Sequence, residues 1–287
     1  MDYSRHSFPY YAPREGSMNL IYEKVGHIAK VGLNRPQQLN ALDPGILLEL
    51  HKTWKDINDD AAIRIVILYS ALPNIFCAGM DLKTVIPILT GARKPENEAE
   101  EWIVAGWDGK GVGEAMLKIS YVNKPIIAAI HGYCLTGGFE MVMGADLRVA
   151  STDAVFQMRE ASLGIMPAGG GNIFLPRHVG TCRALEILLT AGNFDAKTMY
   201  EWGFLNRLVE KENLMVTAMD LAEKIAANGP LATQGIIRFN REMRMREFKD
   251  AFIREVEIGM PIFASQDARE GVRAHKEKRK PDFKGQF

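Results

Sequence analysis

The chain has 287 residues, of which 47% are hydrophobic and 24% charged, which is ordinary for a soluble globular protein. Its 35 basic and 35 acidic residues balance, which argues against a surface for nucleic acid or for an anionic membrane. No apolar run reaches the ~18 residues that a membrane span needs.

The cysteines and histidines do not point to a disulfide framework or a metal centre. Cys77, Cys134 and Cys182 lack disulfide or zinc-knuckle spacing, and the six histidines form no ligand pair. All three cysteines lie in apolar or glycine-rich surroundings, so we expect them to be reduced and packed. No metal site is expected.

The first seventeen residues, 1–17, are rich in Tyr, Pro and Arg and contain no apolar stretch of the kind that a signal peptide has. We expect an arm that is flexible or docked on the surface, ahead of a domain that starts near residue 18. In the absence of a targeting signal, the expected location is cytoplasmic.

Hydrophobic periodicity then predicts strands that alternate with helices. The pair Asp43-Pro44 is a strong helix start, because an acidic N-cap precedes proline at the first helical position. In chain order, the predicted strands cover 19–33 (two strands around Gly26), 63–69, 125–130, 147–150 and 154–156. The predicted helices begin near 43 and 81 and cover 137–143, 176–191 and 197–201; from 214 the chain is mainly helical, with breaks at Gly229-Pro230 and Pro261. The pattern predicts an α/β fold with right-handed crossovers.

Two glycine-bearing turns follow buried strands. In the first, Cys77-Ala78-Gly79 allows a sharp bend, and backbone amides there are no longer all used by the sheet. In the second, Gly137-Gly138 opens a helix whose free amides and dipole favour a developing negative charge. Each motif alone is also typical of an ordinary strand-to-helix turn.

Two glutamates accompany the second turn. Glu140 lies about one helical turn after Gly137 and can point to the space that the Gly137 amide faces. Glu160 follows further along the chain; its alternative interpretation is a solvated loop carboxylate paired with Arg159. The glycine-rich run 164–171 lacks the ending of a phosphate loop and is expected to be a tight connection.

Together these segments resemble the crotonase, or enoyl-CoA hydratase/isomerase, superfamily from about residue 18 to 285. The order and spacing of the motifs carry the resemblance, since each motif alone is weak. The matching segments are 33–36 with 40–42, 76–81, 124–125 through 131–133, 137–140, 160–167, 203–209 and 277–285.

The resemblance implies a spiral of ββα units over 18–213 and a C-terminal helical trimerisation region over 214–287, assembled as trimers or dimers of trimers. It implies an acyl-CoA thioester as substrate, with coenzyme A carried as part of that substrate and no other cofactor. The backbone amides of Cys77 and Gly137 would form an oxyanion hole. Further substrate contacts are expected from Gln38, Ala78, Met80, Asp81, Leu82, Gly138, Leu163 and Lys284, the last from its own or a neighbouring subunit.

By resemblance to hydratases, Glu140 and Glu160 would hold a water molecule, and Glu160 would also give a proton to the α-carbon. The presence of both carboxyls favours an enoyl-CoA hydratase. Enoyl- or dienoyl-CoA isomerases and acyl-CoA hydrolases on the same scaffold are the alternatives, together with a member that binds acyl-CoA or RNA without catalysis.

Several positions depart from the family pattern. The stretch between Asp81 and Glu140 is longer than in typical short-chain hydratases, so the acyl group is open. In it, Trp102 and Trp107 are either pocket aromatics or packing residues. Thr136 stands where glycine is common, His275 stands where an aromatic residue is frequent, and the cation of Arg159 is expected to lower the pKa of Glu160.

Overall fold

A computed structural model describes residues 19–89, 91–106, 111–119 and 122–284 of the chain, without the side chains of 245–251 and 254. The predicted arm over 1–17 and Trp107 lie outside the described residues. The division into 1–17, 18–213 and 214–287 stays a prediction.

Ten strands and eleven α-helices follow one another along the described chain. The strands are β1 (Leu20–Val25), β2 (Ile28–Leu33), β3 (Ile65–Ser70), β4 (Ile75–Cys77), β5 (Ile126–Ile130), β6 (Tyr133–Leu135), β7 (Leu147–Ser151), β8 (Val155–Gln157), β9 (Phe194–Asp195) and β10 (Arg207–Val209). The helices are α1 (Pro44–Asp59), α2 (Val85–Leu89), α3 (Glu98–Gly106), α4 (Gly111–Ala115), α5 (Gly137–Met143), α6 (Gly171–Val179), α7 (Thr181–Thr190), α8 (Ala196–Glu201), α9 (Leu214–Ala226), α10 (Pro230–Phe263) and α11 (Gln266–Lys276).

The strands form two sheets. The larger sheet has the order β1-β2-β3-β5-β7-β10 and the smaller one β4-β6-β8-β9. Pairing is parallel except between β1 and β2 and between β8 and β9. The chain therefore places β3, β5 and β7 in the large sheet and the strand after each in the small one. A helix follows each such pair, which gives the repeating ββα unit.

The large sheet is buried on both faces, which explains the continuous apolar runs of its central strands. One face of β3 and β5, including Ile65 and Ile127, packs against α9 through small residues such as Ala218 and Ala222. The opposite face, including Val66, belongs to the main core between the two sheets and α1. Alternate residues of one strand thus enter two different cores.

Helix α1 begins where the sequence predicts. The Asp43 carboxylate accepts a hydrogen bond from the Ile46 amide at 2.9 Å, and Pro44 occupies the first helical position. Apolar residues at helical spacing face the core, among them the fully buried Trp54, whose indole donates to the Ala115 carbonyl at 3.1 Å. The cap and the apolar stripe therefore agree on both the start and the orientation of the helix.

Three expectations are corrected by the structure. The helix predicted over 176–191 is two helices, α6 and α7, because Gly180 adopts φ +84° between them. Pro261 lies inside the last turn of α10, and the break comes at Ser265, whose hydroxyl caps the Ala268 amide. Cys77 and Cys134 are buried as expected, but Cys182 is exposed on α7.

The C-terminal helices attach to the spiral through buried polar contacts as well as apolar ones. Arg241 on α10 forms an ion pair with Asp146, which precedes β7. Within the described part of the chain, no helix is both long and apolar enough to cross a membrane.

Candidate active site

The two glycine turns meet at a cavity of about 210 Å³. Ala78 and Met80 of the first turn line it, together with Thr136 and Gly137 of the second. A β-carbon on Gly137 would lie 3.2 Å from the Met80 nitrogen, so the absent side chain lets the two backbones come together. The cavity thus lies where two neighbouring ββα units change from strand to helix.

The Met80 amide points away from Leu42, with which the backbone around Met80 forms a strand-like contact. Leu42 and Met80 form an isolated parallel bridge in which Leu42 donates to the Gly79 carbonyl at 2.7 Å and accepts from the Asp81 amide at 2.9 Å. In this arrangement the N–H of Met80 faces the opposite direction. Among the described residues no acceptor pairs with it, which leaves one free donor beside Gly137.

Cys77 does not take this place. It is fully buried in β4, paired with Cys134 of β6, and does not line the cavity. Gly138 also points inward, since a β-carbon there would lie 2.5 Å from the Cys77 β-carbon. The structure therefore does not place Cys77 at the cavity, and the free backbone donor beside Gly137 is the Met80 amide, three residues later.

The turns are shaped by unusual backbone angles. Gly79 has φ +98°, and a β-carbon on it would lie 1.6 Å from the Thr136 hydroxyl oxygen. Thr136 itself has φ +45°, which is strained for a residue with a branched side chain. This strain gives a physical reason why glycine suits position 136.

Glu140, on the first turn of α5, is buried and held by two backbone amides. Its Oε1 accepts hydrogen bonds from Gly169 at 2.8 Å and from Gly171 at 2.9 Å. A β-carbon on Gly169 would lie 2.2 Å from Glu140 Oε2, so this loop can reach the carboxylate only as glycine. The glycine run 169–171 is thus a carboxylate cradle as well as a connection.

Glu160 reaches the same cavity from a 3₁₀ turn, Glu160–Leu163. The side chain is buried, and no described residue hydrogen-bonds to its Oε2. Gly164 ends the turn at φ +69°, where a β-carbon would lie 2.6 Å from the Asp267 carbonyl of α11. The solvated-loop interpretation of Glu160 is wrong, because the carboxyl is enclosed.

Burial sets the protonation of the two carboxyls. Desolvation, followed by the charge of Glu255, raises the pKa of Glu140 to about 7. Desolvation, followed by the charge of Glu140, raises the pKa of Glu160 to about 8. Arg159 lowers the pKa of Glu160 as expected, but desolvation and the charge of Glu140 outweigh it, so the net shift is upward. Two carboxyls that disfavour each other's charge can divide into one base and one acid.

The rest of the wall is mainly apolar. Three helices supply it: α2 with Val85 and Leu89, α4 with Val112, and α10 with Val256 and Met260. The stretch between Asp81 and Glu140 therefore contributes to the cavity, as its position suggested. Trp102 does not line the cavity; it packs against the core and the His51 ring, with centroids 5.3 Å apart.

The comparisons with known proteins agree with this geometry. A sequence model of the enoyl-CoA hydratase/isomerase family matches residues 23–286. The chain belongs to this family. An enoyl-CoA hydratase of Mycobacterium tuberculosis is 36% identical over 269 residues, covering 94% of this chain and 97% of that protein. A carnitinyl-CoA dehydratase of Proteus mirabilis is 34% identical over 273 residues, covering 94% and 99%.

Solved structures place the fold in the same family. A carnitinyl-CoA hydratase from Mycobacterium avium has a TM-score of 0.79 at 27% identity, covering 94% of this chain and all of that one. An enoyl-CoA hydratase from Bacillus anthracis has a TM-score of 0.67 at 32% identity, covering 93% and 100%. The predicted crotonase-like α/β spiral with C-terminal helices is confirmed.

Seven of the expected site residues line one cavity: Ala78, Met80, Leu82, Gly137, Glu140, Glu160 and Leu163. Others lie elsewhere in the described chain. Gln38 is exposed on a 3₁₀ turn. Asp81 forms an ion pair with Arg35 at 3.1 Å. Lys284 is exposed beside Asp282, so within this one chain it does not reach the cavity.

Sequence reasoning missed two charged residues near Glu140: Lys118, which lines the cavity, and Glu255 of α10, whose charge acts on Glu140. Arg159 and His275, which the sequence had singled out, also line the cavity. A lone lysine after a short helix gives no local signal, and the run of three glycines was predicted only as a tight connection. Among the described residues, no cluster of potential metal ligands occurs.

Proposed function

We propose that this protein is an enoyl-CoA hydratase, a hydro-lyase that adds water across the α,β double bond of an acyl-CoA thioester. The observation that carries the proposal is the meeting of two buried carboxyls, Glu140 and Glu160, with the backbone donors of Met80 and Gly137 in one cavity. The relatives named as hydratases and dehydratases support the same reaction class.

In this proposal the amides of Met80 and Gly137 bind the thioester oxygen. Attack of water on the β-carbon moves electrons through the double bond and places negative charge on that oxygen. Fixed donors stabilise the charge without reorganisation, and the loss of one such donor typically costs about 10²–10³-fold in rate. Both donors are backbone groups, so side-chain identity at position 80 matters less than backbone shape.

The carboxyls would move the protons. Glu140, held by the Gly169 and Gly171 amides, accepts a proton from the water while the water oxygen bonds to the β-carbon. Glu160, the carboxyl with the higher pKa, gives its proton to the α-carbon. One water is consumed and no electrons leave the substrate, so the reaction needs no cofactor beyond the coenzyme A of the thioester itself. Positioned acid–base groups typically contribute about 10²–10⁴-fold.

Crotonyl-CoA tests the proposal through the loss of its conjugated thioester absorbance, with product analysis to identify added water. Glu140→Gln and Glu160→Gln should each lower kcat by about 10²-fold or more, because Gln cannot exchange the proton. Glu100→Gln is the matched control, since Glu100 is a buried glutamate outside the cavity. A shifted double bond or free coenzyme A as the product would instead assign an isomerase or a hydrolase.

The apolar wall favours an uncharged acyl group. Side chains of α2, α4 and α10 would surround the acyl chain, and among the described lining residues Phe263 is the sole Phe, Tyr or Trp. A quaternary ammonium group would be held best by aromatic faces. We therefore propose an aliphatic enoyl-CoA as substrate rather than a cationic one such as a carnitinyl thioester.

We also propose a homotrimer or a dimer of trimers, without nucleic-acid or membrane partners. Support comes from α10, where Leu231, Ile236 and Phe239 are exposed in the single chain. Exposed apolar side chains along one helix are typical of an interface. The cytoplasmic location stays a prediction.

A further inference from the structure

A buried ion pair connects the C-terminal region to the catalytic cavity. Lys118 follows α4, and its Nζ lies 3.1 Å from Glu255 Oε2 of α10. The Glu255 side chain is nearly fully buried and that of Lys118 is mostly buried, and the ammonium group also lies 4.6 Å from the centre of the Phe252 ring. The pair joins residues separated by 137 positions in the chain.

The same two residues hold the loop that cradles Glu140. Lys118 Nζ donates to the Ala168 carbonyl at 2.8 Å. Glu255 accepts from Asn172 at 3.5 Å, and Asn172 also donates to the Pro167 carbonyl at 2.7 Å. The Gly170 amide also acts on Glu255 and lowers its pKa. Contacts from the ion pair therefore flank the two amides that bind Glu140.

We propose that Lys118 and Glu255 are positioning residues for the hydration step, which fix the loop over 167–171 so that its amides hold the Glu140 carboxylate in place. This inference rests on the proposed function for its kinetic consequences. The electrostatic consequences of the inference do not depend on the proposed function, because the loop and the ion pair face Glu140 whether or not substrate turns over.

The charges around Glu140 give the pair a second effect. Among the described residues, two charged groups act on Glu140, namely Glu255 from α10 and Lys118 after α4, and the charge of Glu140 in turn acts on Glu160 across the cavity. Glu255 raises the pKa of Glu140 and Lys118 lowers it. Arg159 acts on Glu160 rather than on Glu140. The two members of one ion pair thus affect the same carboxyl in opposite directions.

A purely structural role would leave a different signature. A buried ion pair adds little net stability over apolar residues of the same size, although removal of one partner destabilises the protein. Loss of stability alone would lower the melting temperature and leave the titration of Glu140 unchanged. A positioning role would change kcat and the titration of Glu140 in the folded protein.

The test compares Glu255→Gln, Lys118→Met and Lys118→Arg in the full-length protein. Glu255→Gln keeps the size and an acceptor oxygen but removes a negative charge. The acidic limb of the plot of kcat against pH should move to lower pH by about one unit, since the remaining Lys118 cation favours ionised Glu140. Lys118→Met should not move this limb to lower pH, because the buried Glu255 then takes up a proton.

The kinetic readout separates positioning from binding. Lys118→Met should lower kcat by about 10²-fold with little change in KM, because a misplaced general base costs rate rather than affinity. Lys118→Arg should recover most of that loss, as it keeps a cation and a donor for the Ala168 carbonyl. Asp146→Asn, which removes the ion pair between Asp146 and Arg241 of α10, is the control and should not shift the acidic limb.

Infrared difference titration of the carboxyls in the free protein, assigned with Glu140→Gln, makes the test independent of turnover. A lower Glu140 pKa in Glu255→Gln supports the inference even if no enoyl-CoA is hydrated, in which case only the proposed function fails. An unmoved Glu140 titration in Glu255→Gln, or an equal shift in Asp146→Asn, overturns the inference even in an active hydratase.

Discussion

A buried carboxyl with an unpaired oxygen favours its neutral form, and Glu160, whose Oε2 has no hydrogen-bond partner among the described residues, is such a group. Its raised pKa has a consequence for stability. Between the ordinary value of 4.5 and about 8, the folded protein binds more protons at this site than the unfolded chain does. The free energy of unfolding that Glu160 contributes therefore declines as pH rises through that window.

Glu160→Gln should accordingly be more stable than the wild type at pH 8, by roughly 1–3 kcal/mol, with a smaller difference at pH 5. The isosteric amide has no proton to lose, so it avoids the buried charge. Melting temperatures of both proteins across this range provide the measurement. Glu100→Gln is the control. Arg93 lowers the pKa of Glu100, so removal of the Glu100 charge should give no gain in stability at high pH. A stability difference for Glu160→Gln that is independent of pH would contradict the argument.

The proposed oxyanion donor shows where residue-scale prediction stops. The sequence indicated the turn that lines the cavity, but it named Cys77, whereas the free amide there is that of Met80. Which amide is free depends on the bridge to Leu42, a residue far from the turn in the chain. Likewise, the proximity of Arg159 to Glu160 was visible in the sequence, while the stronger effect of burial was not.

At the scale of elements, three helices from different parts of the chain form the acyl end of the cavity. Helices α2 and α4 come from the extended segment after the first turn, and α10 comes from the C-terminal region. Acyl size should therefore be limited by side chains on these helices rather than by the catalytic turns, which are mainly backbone.

Val256→Phe should reduce kcat/KM for long or branched enoyl-CoAs at least tenfold relative to crotonyl-CoA. The larger ring takes up cavity space that a short acyl chain does not need, and overfilled sites reject larger groups by about 1–3 kcal/mol. Val104→Phe is the matched control, since Val104 is exposed on α3 and does not line the cavity. Equal loss for short and long acyl chains would mean that α10 does not limit the acyl group.

Elements were predictable where local chemistry decides them. The Asp43 cap and the apolar runs of β3 and β5 place the corresponding helix and strands correctly. The split at Gly180 was missed because glycine within a helical pattern is ambiguous until its φ is known. The contact between Lys118 and Glu255 was invisible for another reason: the fold alone brings together residues so distant in the chain.

At the scale of the whole molecule, the cavity that holds Glu140 and Glu160 crosses the predicted boundary at residue 213. Glu140 and Glu160 belong to the spiral, while Val256, Met260 and His275 belong to the C-terminal region. The family and the spiral fold were predictable because many weak motifs occur in one order. The formation of the cavity by the spiral and the C-terminal helices together was not predictable, since no sequence motif indicates how α10 packs against the spiral.

The exposed apolar residues of α10 make the proposed assembly testable. Phe239→Glu should shift the molar mass from a trimer or hexamer toward the monomer in light scattering coupled to size exclusion, because a buried unpaired charge is strongly unfavourable at an interface. Phe239 is 63% exposed in the single chain. Leu189→Glu, at a residue that is 72% exposed on α7, is the control and should keep the wild-type mass. A monomeric wild type, or an unchanged mass for Phe239→Glu, would contradict the proposed interface.

The close approach of Gly79 and Thr136 links substitutions in two successive units of the spiral. A side chain at position 79 collides with the Thr136 hydroxyl, so Gly79→Ala on its own meets both a clash and a positive φ. Thr136→Gly removes the clash and leaves the unfavourable φ. The energetic effects of the two changes are therefore non-additive, and a variant library for this cavity has to treat positions 79 and 136 as one coupled site.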